Sequence, residues 1–108
     1  MEFKTRIFYH ITESSNLESI LKYGLNPQFG PRTLKCDKEP LVYMTTEECL
    51  SSWYKTLITA KHPITNPIIL KIDCTQLKII YRKKYINGIE IASRTNIKPD
   101  KISIYERR

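Results

Sequence analysis

Residues 67–105, PIILKIDCTQLKIIYRKKYINGIEIASRTNIKPDKISIY, decide the fold class, because they carry several β-rich runs and no stretch with the 3.6-residue apolar repeat of a helix. Pro67 to Asp73 is a β-branched run of strand length. Gln76 to Tyr81 continues as strand, and Gly88 to Ser93 and Lys101 to Tyr105 supply the last two. A doubly wound parallel sheet requires crossover helices throughout, and no such helix is encoded between these runs.

Working toward the N-terminus, the pattern changes. Leu41 to Met44 is a short buried strand, and Thr45 and Glu48 stand at capping-box spacing, which predicts a helix starting there. Its apolar residues Leu50, Trp53, Tyr54, Leu57 and Ile58 follow the helical repeat, and His62-Pro63 marks a point by which it has ended. Residues 26–40 contain Pro27, Gly30, Pro31 and Pro40 among mixed charges and form a loop. Before it, Ser15-Asn16-Leu17-Glu18 fits a first capping box, Leu17, Ile20 and Leu21 share one helical face, and Gly24 ends the helix with Leu25 packing back. The run RIFYHI, Arg6 to Ile11, opens the chain as a strand. Strand, helix, loop, strand, helix and then strands alone make an α+β protein.

The 108 residues, 41% apolar and 27% charged, suit one globular domain spanning 1–108. No apolar run approaches the roughly 20 residues a bilayer crossing needs, so no membrane partner is expected. Cys36, Cys49 and Cys74 lack C-x-x-C spacing and are odd in number, which argues against a disulfide framework. With no leader-like pattern at Met1-Glu2-Phe3-Lys4, a cytoplasmic location with reduced thiols is expected. His10 and His62 lack a cysteine cluster, so no metal is expected, and phosphate-cradling glycine motifs are missing from the sequence.

Charge is unevenly placed. Residues 1–54 hold six Lys/Arg against seven Asp/Glu, or −1, whereas residues 55–108 hold twelve against four, or +8. Arg82-Lys83-Lys84 is the densest point. Such a run either attracts polyanions or serves as a solvated, solubilising face.

No serine or cysteine sits in a nucleophile elbow, and no carboxylate pair stands out for glycoside hydrolysis. A constellation over three strands remains: His10 in Tyr9-His10-Ile11-Thr12, Tyr43 in Leu41-Val42-Tyr43-Met44, and Glu90 between Ile89 and Ile91. Each alone has a structural reading, since strand histidines and tyrosines are commonly core or interface residues and Glu90 could face water on an alternating strand.

Taken together, these segments resemble the ADP-ribosyltransferase superfamily. The resemblance is carried by YHIT-x3-NLESIL-x2-GL-x-P from Tyr9, by LVYMTTEE at 41–48, by IILKID at 68–73 and by EIASRTNIKPDKI at 90–102, in which Glu90 precedes an I-x-P-x-x-I segment by seven residues. It implies a small fold of two packed, mainly antiparallel sheets with two helices, acting as an NAD-dependent mono-ADP-ribosyltransferase. NAD is then the substrate, and a single ADP-ribose passes to a protein or nucleic-acid acceptor as nicotinamide leaves. His10, Tyr43 and Glu90 would be the catalytic set. His10 would bond a ribose hydroxyl, the Ile11 backbone would pair with the nicotinamide carboxamide, and Tyr43 would stack on the nicotinamide ring. Glu90 would bind the nicotinamide ribose 2′-hydroxyl and stabilise the oxocarbenium-like centre, with Thr12 and Thr45 in support. Arg82, Lys83 and Lys84 would contribute to acceptor binding. Ile11 departs from the pattern, because many relatives have glycine after the histidine. Two alternatives share the resemblance: an RNA 2′-phosphotransferase, which would need arginines from among Arg6, Arg32 and Arg94 around a phosphate, and an inactive module binding nucleic acid or protein.

Overall fold

Two three-stranded antiparallel sheets and two α-helices make up the computed structural model, which describes residues 6–27, 40–60, 63–85 and 88–105, with only the backbone for 81–85 and 88. Most of the expected 26–40 loop, with Cys36 and Arg32, lies outside the described residues, as does His62. The strands are β1 (Ile7–Glu13), β2 (Val42–Met44), β3 (Pro67–Asp73), β4 (Ile80–Tyr85), β5 (Gly88–Ser93) and β6 (Ile102–Ile104). The helices are α1 (Leu17–Tyr23) and α2 (Leu50–Thr59).

One sheet has the order β1-β3-β6 and the other β2-β5-β4, every pairing antiparallel. They meet at a bridge between Tyr9 and Thr45, so β5, β2, β1 and β3 run side by side. β1 alternates between two apolar layers. Phe8 faces a core with Leu70, Ile72, Met44, Ile91 and Ile20, while Tyr9 and Ile11 face a second with Ile69, Leu50 and Ile64. Trp53, Tyr54 and Leu57 of α2 close the second layer, whereas Ile58, expected on that face, is 38% exposed.

The two capping boxes do not form. Each α-helix is instead entered through a short 3-10 turn, Ser14–Asn16 and Glu47–Cys49, and no side chain caps either turn or either helix. The hydroxyl expected to cap α2 is engaged elsewhere, since Thr45 Oγ1 donates to the Ile89 carbonyl at 2.7 Å. The strand expected over Gln76–Tyr81 is displaced to Ile80–Tyr85 by a turn at Thr75-Gln76, where Asp73 Oδ1 accepts from the Thr75 amide at 2.9 Å and Gln76 has φ 67°. The Thr75 hydroxyl first, and then that amide, hold the Asp73 carboxyl below its usual range. Gly24 does end α1, with φ 84° and its amide donating to the Ile20 carbonyl at 2.8 Å. Beyond it, Leu25 exchanges two backbone bonds of 2.9 Å with Ile97.

Candidate active site

The direction of each backbone group in β1 follows from its ends. The Cys74 amide donates to the Arg6 carbonyl at 2.7 Å and the Ser14 amide to the Asn66 carbonyl at 2.9 Å, so the even-numbered residues between them exchange bonds with β3. Odd-numbered residues turn their amides and carbonyls toward β2. Tyr9 does so visibly, with two bonds of 2.9 Å to Thr45. Ile11 is the next residue of that parity, and in a continued ladder it would exchange bonds with Tyr43.

That exchange is replaced by a side-chain contact. Nδ1 of His10 lies 2.7 Å from the Tyr43 carbonyl oxygen. A carbonyl can only accept, so Nδ1 carries the proton and donates, and in a neutral ring Nε2 is the acceptor nitrogen. Among the described residues, β1 and β2 are bridged at Tyr9 and Thr45 alone. The Ile11 amide and carbonyl therefore face the boundary between the sheets just past that bridge. Its side chain turns the other way into the α2 layer, 8% exposed, so the backbone position does not require glycine.

Glu90 is one strand further. Tyr43 is opposite Ala92 and Met44 opposite Ile91 in the pairing of β2 with β5. Met44 and Ile91 are 1% and 0% exposed and face the core, so alternation puts Tyr43 and Glu90 together on the opposite face. They are diagonal neighbours, whose backbones in ordinary antiparallel geometry lie about 7–8 Å apart. His10, Tyr43 and Glu90 are each half-buried, neither sealed in the core nor fully exposed. The geometry joins His10 to the Tyr43 main chain and sets Glu90 beside Tyr43. His10, however, opposite the core residue Leu70 and of the same parity as Phe8, leaves β1 on the other face from Tyr43 and Glu90.

The two threonines expected in support, Thr12 and Thr45, are buried and hydrogen-bonded. Thr12 Oγ1 accepts from Asn16 Nδ2 at 3.1 Å, tying β1 to the start of α1, and Thr45 Oγ1 holds β2 to β5 one residue from Glu90. Two residues passed over in the sequence also matter. Tyr9 Oη donates to Glu47 Oε2 at 2.7 Å and its ring meets the Tyr105 edge at 4.9 Å, which anchors the residue that makes the inter-sheet bridge. Burial first, then the Glu47 carboxylate, pushes the Tyr9 phenol well above its ordinary value. The only sequence signal for this pair was the alternation of β1, and that did not name Glu47.

Arg6 is engaged in the fold. Its guanidinium donates to the Cys74 carbonyl at 3.0 Å and to the Leu77 carbonyl, closing the turn after β3. The backbone of Arg82-Lys83-Lys84 lies in β4, with Lys83 opposite Glu90 in register. A broad open depression of about 480 Å³ is lined by Tyr54, Pro67, Ile68, Ile69 and Tyr105; none of the three candidate residues lines it, and no charged side chain does. Among the described residues, no helix is long and apolar enough to cross a membrane. No protein-family model matches the chain, and no curated protein matches it.

Proposed function

We propose that this protein is an NAD-dependent mono-ADP-ribosyltransferase of small ADP-ribosyltransferase-like fold, moving one ADP-ribose from NAD to a protein or nucleic-acid acceptor. The observation that carries the reading is the adjacency of β1, β2 and β5, which brings the backbone positions of His10, Tyr43 and Glu90 to one boundary between two sheets. Tyr43 and Glu90 share a face, and His10 meets the boundary from the other through its bond to the Tyr43 carbonyl.

Each residue has a task its chemistry suits. Ile11 offers an amide donor and a carbonyl acceptor side by side, which matches the acceptor and donor of a primary carboxamide. Tyr43 supplies an aromatic face for the pyridine ring. The His10 ring, held through Nδ1, directs Nε2 toward a ribose hydroxyl. Glu90, as a carboxylate, stabilises positive charge on the ribose as the glycosidic C–N bond breaks, and then takes the proton of the attacking nucleophile. Preorganised charge of this kind is often the largest single catalytic contribution. Nicotinamide leaves with the bond's electron pair, and the nucleophile forms the new bond to the same carbon.

The phosphotransferase alternative is weaker on one observation, the commitment of Arg6 to the Cys74 and Leu77 carbonyls. A nucleic-acid acceptor draws support from the basic run sharing a register position with Glu90.

The test is nicotinamide release from NAD by wild type and Glu90→Gln. Glu90→Gln keeps the shape and removes the charge, so release is expected to fall by roughly 10²–10³-fold or more while calorimetric binding of NAD changes little. Wild-type protein that neither binds nor cleaves NAD overturns the proposal, and binding without cleavage, unaffected by Glu90→Gln, points to the binding-module alternative.

A further inference from the structure

We infer that the His10 imidazole is a positioning group which stops the β1–β2 ladder by occupying the Tyr43 carbonyl, and so keeps the Ile11 amide and carbonyl available to a carboxamide ligand. The ligand half of this inference rests on the function proposed above; the ladder half does not.

Three observations lead here. Backbone parity directs the Ile11 groups toward β2, established independently at both ends of β1 and at Tyr9. The mutual bonds of Tyr9 and Thr45 show that β1 and β2 are close enough and correctly oriented to pair. Two residues on, where the same geometry calls for Ile11 with Tyr43, the Tyr43 oxygen is instead met by His10 Nδ1 at 2.7 Å. Strand pairing is cooperative and unpaired backbone groups are costly when buried, so a ladder in register continues unless something takes its acceptor. The imidazole does that. The two ring nitrogens have separate tasks in this reading, Nδ1 to the protein and Nε2 to the ligand, and substitutions can separate them. Asparagine places an amide nitrogen at the position of Nδ1, with nothing at Nε2. Glutamine places one near Nε2 and leaves the Tyr43 carbonyl unclaimed.

The experiment compares wild type with His10→Asn, His10→Gln and His10→Ala, first by amide hydrogen exchange and then by titration with benzamide and benzoate. In wild type and His10→Asn, the Ile11 amide should exchange at least about 10-fold faster than that of Tyr9, the expected contrast between an unpaired and a ladder-bonded amide. In His10→Gln and His10→Ala the ladder closes and Ile11 becomes as protected as Tyr9. Benzamide should shift the Ile11 amide resonance in wild type and His10→Asn, benzoate in neither, and benzamide affinity should drop about 10-fold or more in the glutamine and alanine variants. Ile11 exchange that is slow in wild type, or the same in all four proteins, overturns the ladder-stopping role whether or not NAD binds. The expected exchange pattern without benzamide binding to wild type supports that role and overturns the carboxamide assignment, together with the part of the proposed function that depends on it.

Discussion

Tyr9 and Thr45 exchange two backbone hydrogen bonds of 2.9 Å, and that exchange is the only strand bridge between the two sheets among the described residues. Both are nearly sealed, at 4% and 1% exposure, and both are braced from outside the ladder, Tyr9 by Glu47 and Tyr105 and Thr45 by the Ile89 carbonyl. The bridge is therefore a rigid point from which the two sheets can part. His10 and Ile11 come directly after it on one strand and Tyr43 lies two residues before Thr45 on the other. A site at such a parting has its walls set by strands and its polar groups supplied by backbone.

Neighbouring threonines give a clean contrast in stability. Thr45 Oγ1 satisfies the Ile89 carbonyl, whereas Thr46 Oγ1 is buried with no hydrogen-bond partner. Thr45→Val should destabilise the protein by about 1–3 kcal/mol, the cost of leaving a buried acceptor unmet. Thr46→Val removes a hydroxyl that is already unpaid for its desolvation, and should be neutral or stabilising by up to about 1 kcal/mol. Urea denaturation of the two variants checks the pair; equal destabilisation would contradict the assignment of the two hydroxyls.

Gly24 should tolerate no side chain. Its φ of 84° and ψ of −172° fall in a region essentially restricted to glycine, and a Cβ built there would lie 2.2 Å from the Ile97 carbonyl oxygen and 3.1 Å from its carbon. The clash is with backbone that is already paired to Leu25, so it cannot move without breaking that pairing. Gly24→Ala is expected to cost more than about 2 kcal/mol, which for a domain this size lowers Tm by roughly 10 °C or more. A thermal melt within two or three degrees of wild type would refute the packing described for this turn.

Much of this architecture was legible because its elements have strong local signals. Pro67–Asp73 and Gly88–Ser93 coincide with the expected strands, and Gly24 ends α1 as its conformational freedom suggests. Capping failed as a guide for a physical reason. A capping box specifies only a local bond, and Thr45 is held in the strand bridge by its two backbone bonds to Tyr9, so helical structure starts beyond it, at Glu47, with Thr46 at the cap position. The start of β4 failed similarly, since the apolar residues Leu77 and Ile79 look like strand but serve as packing against the main core after the Thr75-Gln76 turn. At the candidate site, residue identity singled out His10, Tyr43 and Glu90, but parity could not be read without the register. That Ile11 faces β2, and that His10 reaches a main-chain oxygen instead of the Tyr43 ring, depends on pairings between residues more than thirty positions apart.

Alkaline conditions should weaken the fold over a defined range. Burial pushes the Cys74 thiol from 9.0 up to about 11, opposed in part by the Arg6 guanidinium, and burial with Glu47 raises the Tyr9 phenol as well. In both cases the folded state holds its proton more tightly than the unfolded chain. The associated stability is complete below the unfolded value and is lost as pH climbs through the folded one. Denaturation midpoints should thus be level near neutrality and decline from about pH 9 to pH 11. Cys74→Val, which keeps the volume and cannot ionise, should flatten part of that decline. A variant whose midpoint falls as steeply as wild type would mean that Cys74 does not contribute to the alkaline loss.

The role of the Tyr43 ring can be isolated because the structure separates it from the Tyr43 main chain. His10 bonds the carbonyl oxygen, so replacing the side chain leaves that contact in place, along with the register of Tyr43 opposite Ala92. Tyr43→Phe keeps the aromatic face and should bind NAD within about 3-fold of wild type, since a retained ring retains the stacking. Tyr43→Ala removes the face and should weaken NAD binding by about 10-fold, the equivalent of roughly 1.4 kcal/mol. Calorimetric titration of the three proteins with NAD, with exchange at Ile11 measured alongside to confirm that the ladder is unchanged, distinguishes stacking from a structural effect. Equal affinity in Tyr43→Ala would remove the ring from the binding surface, while a loss in Tyr43→Phe as large as in Tyr43→Ala would transfer the contribution from the aromatic face to the phenolic hydroxyl.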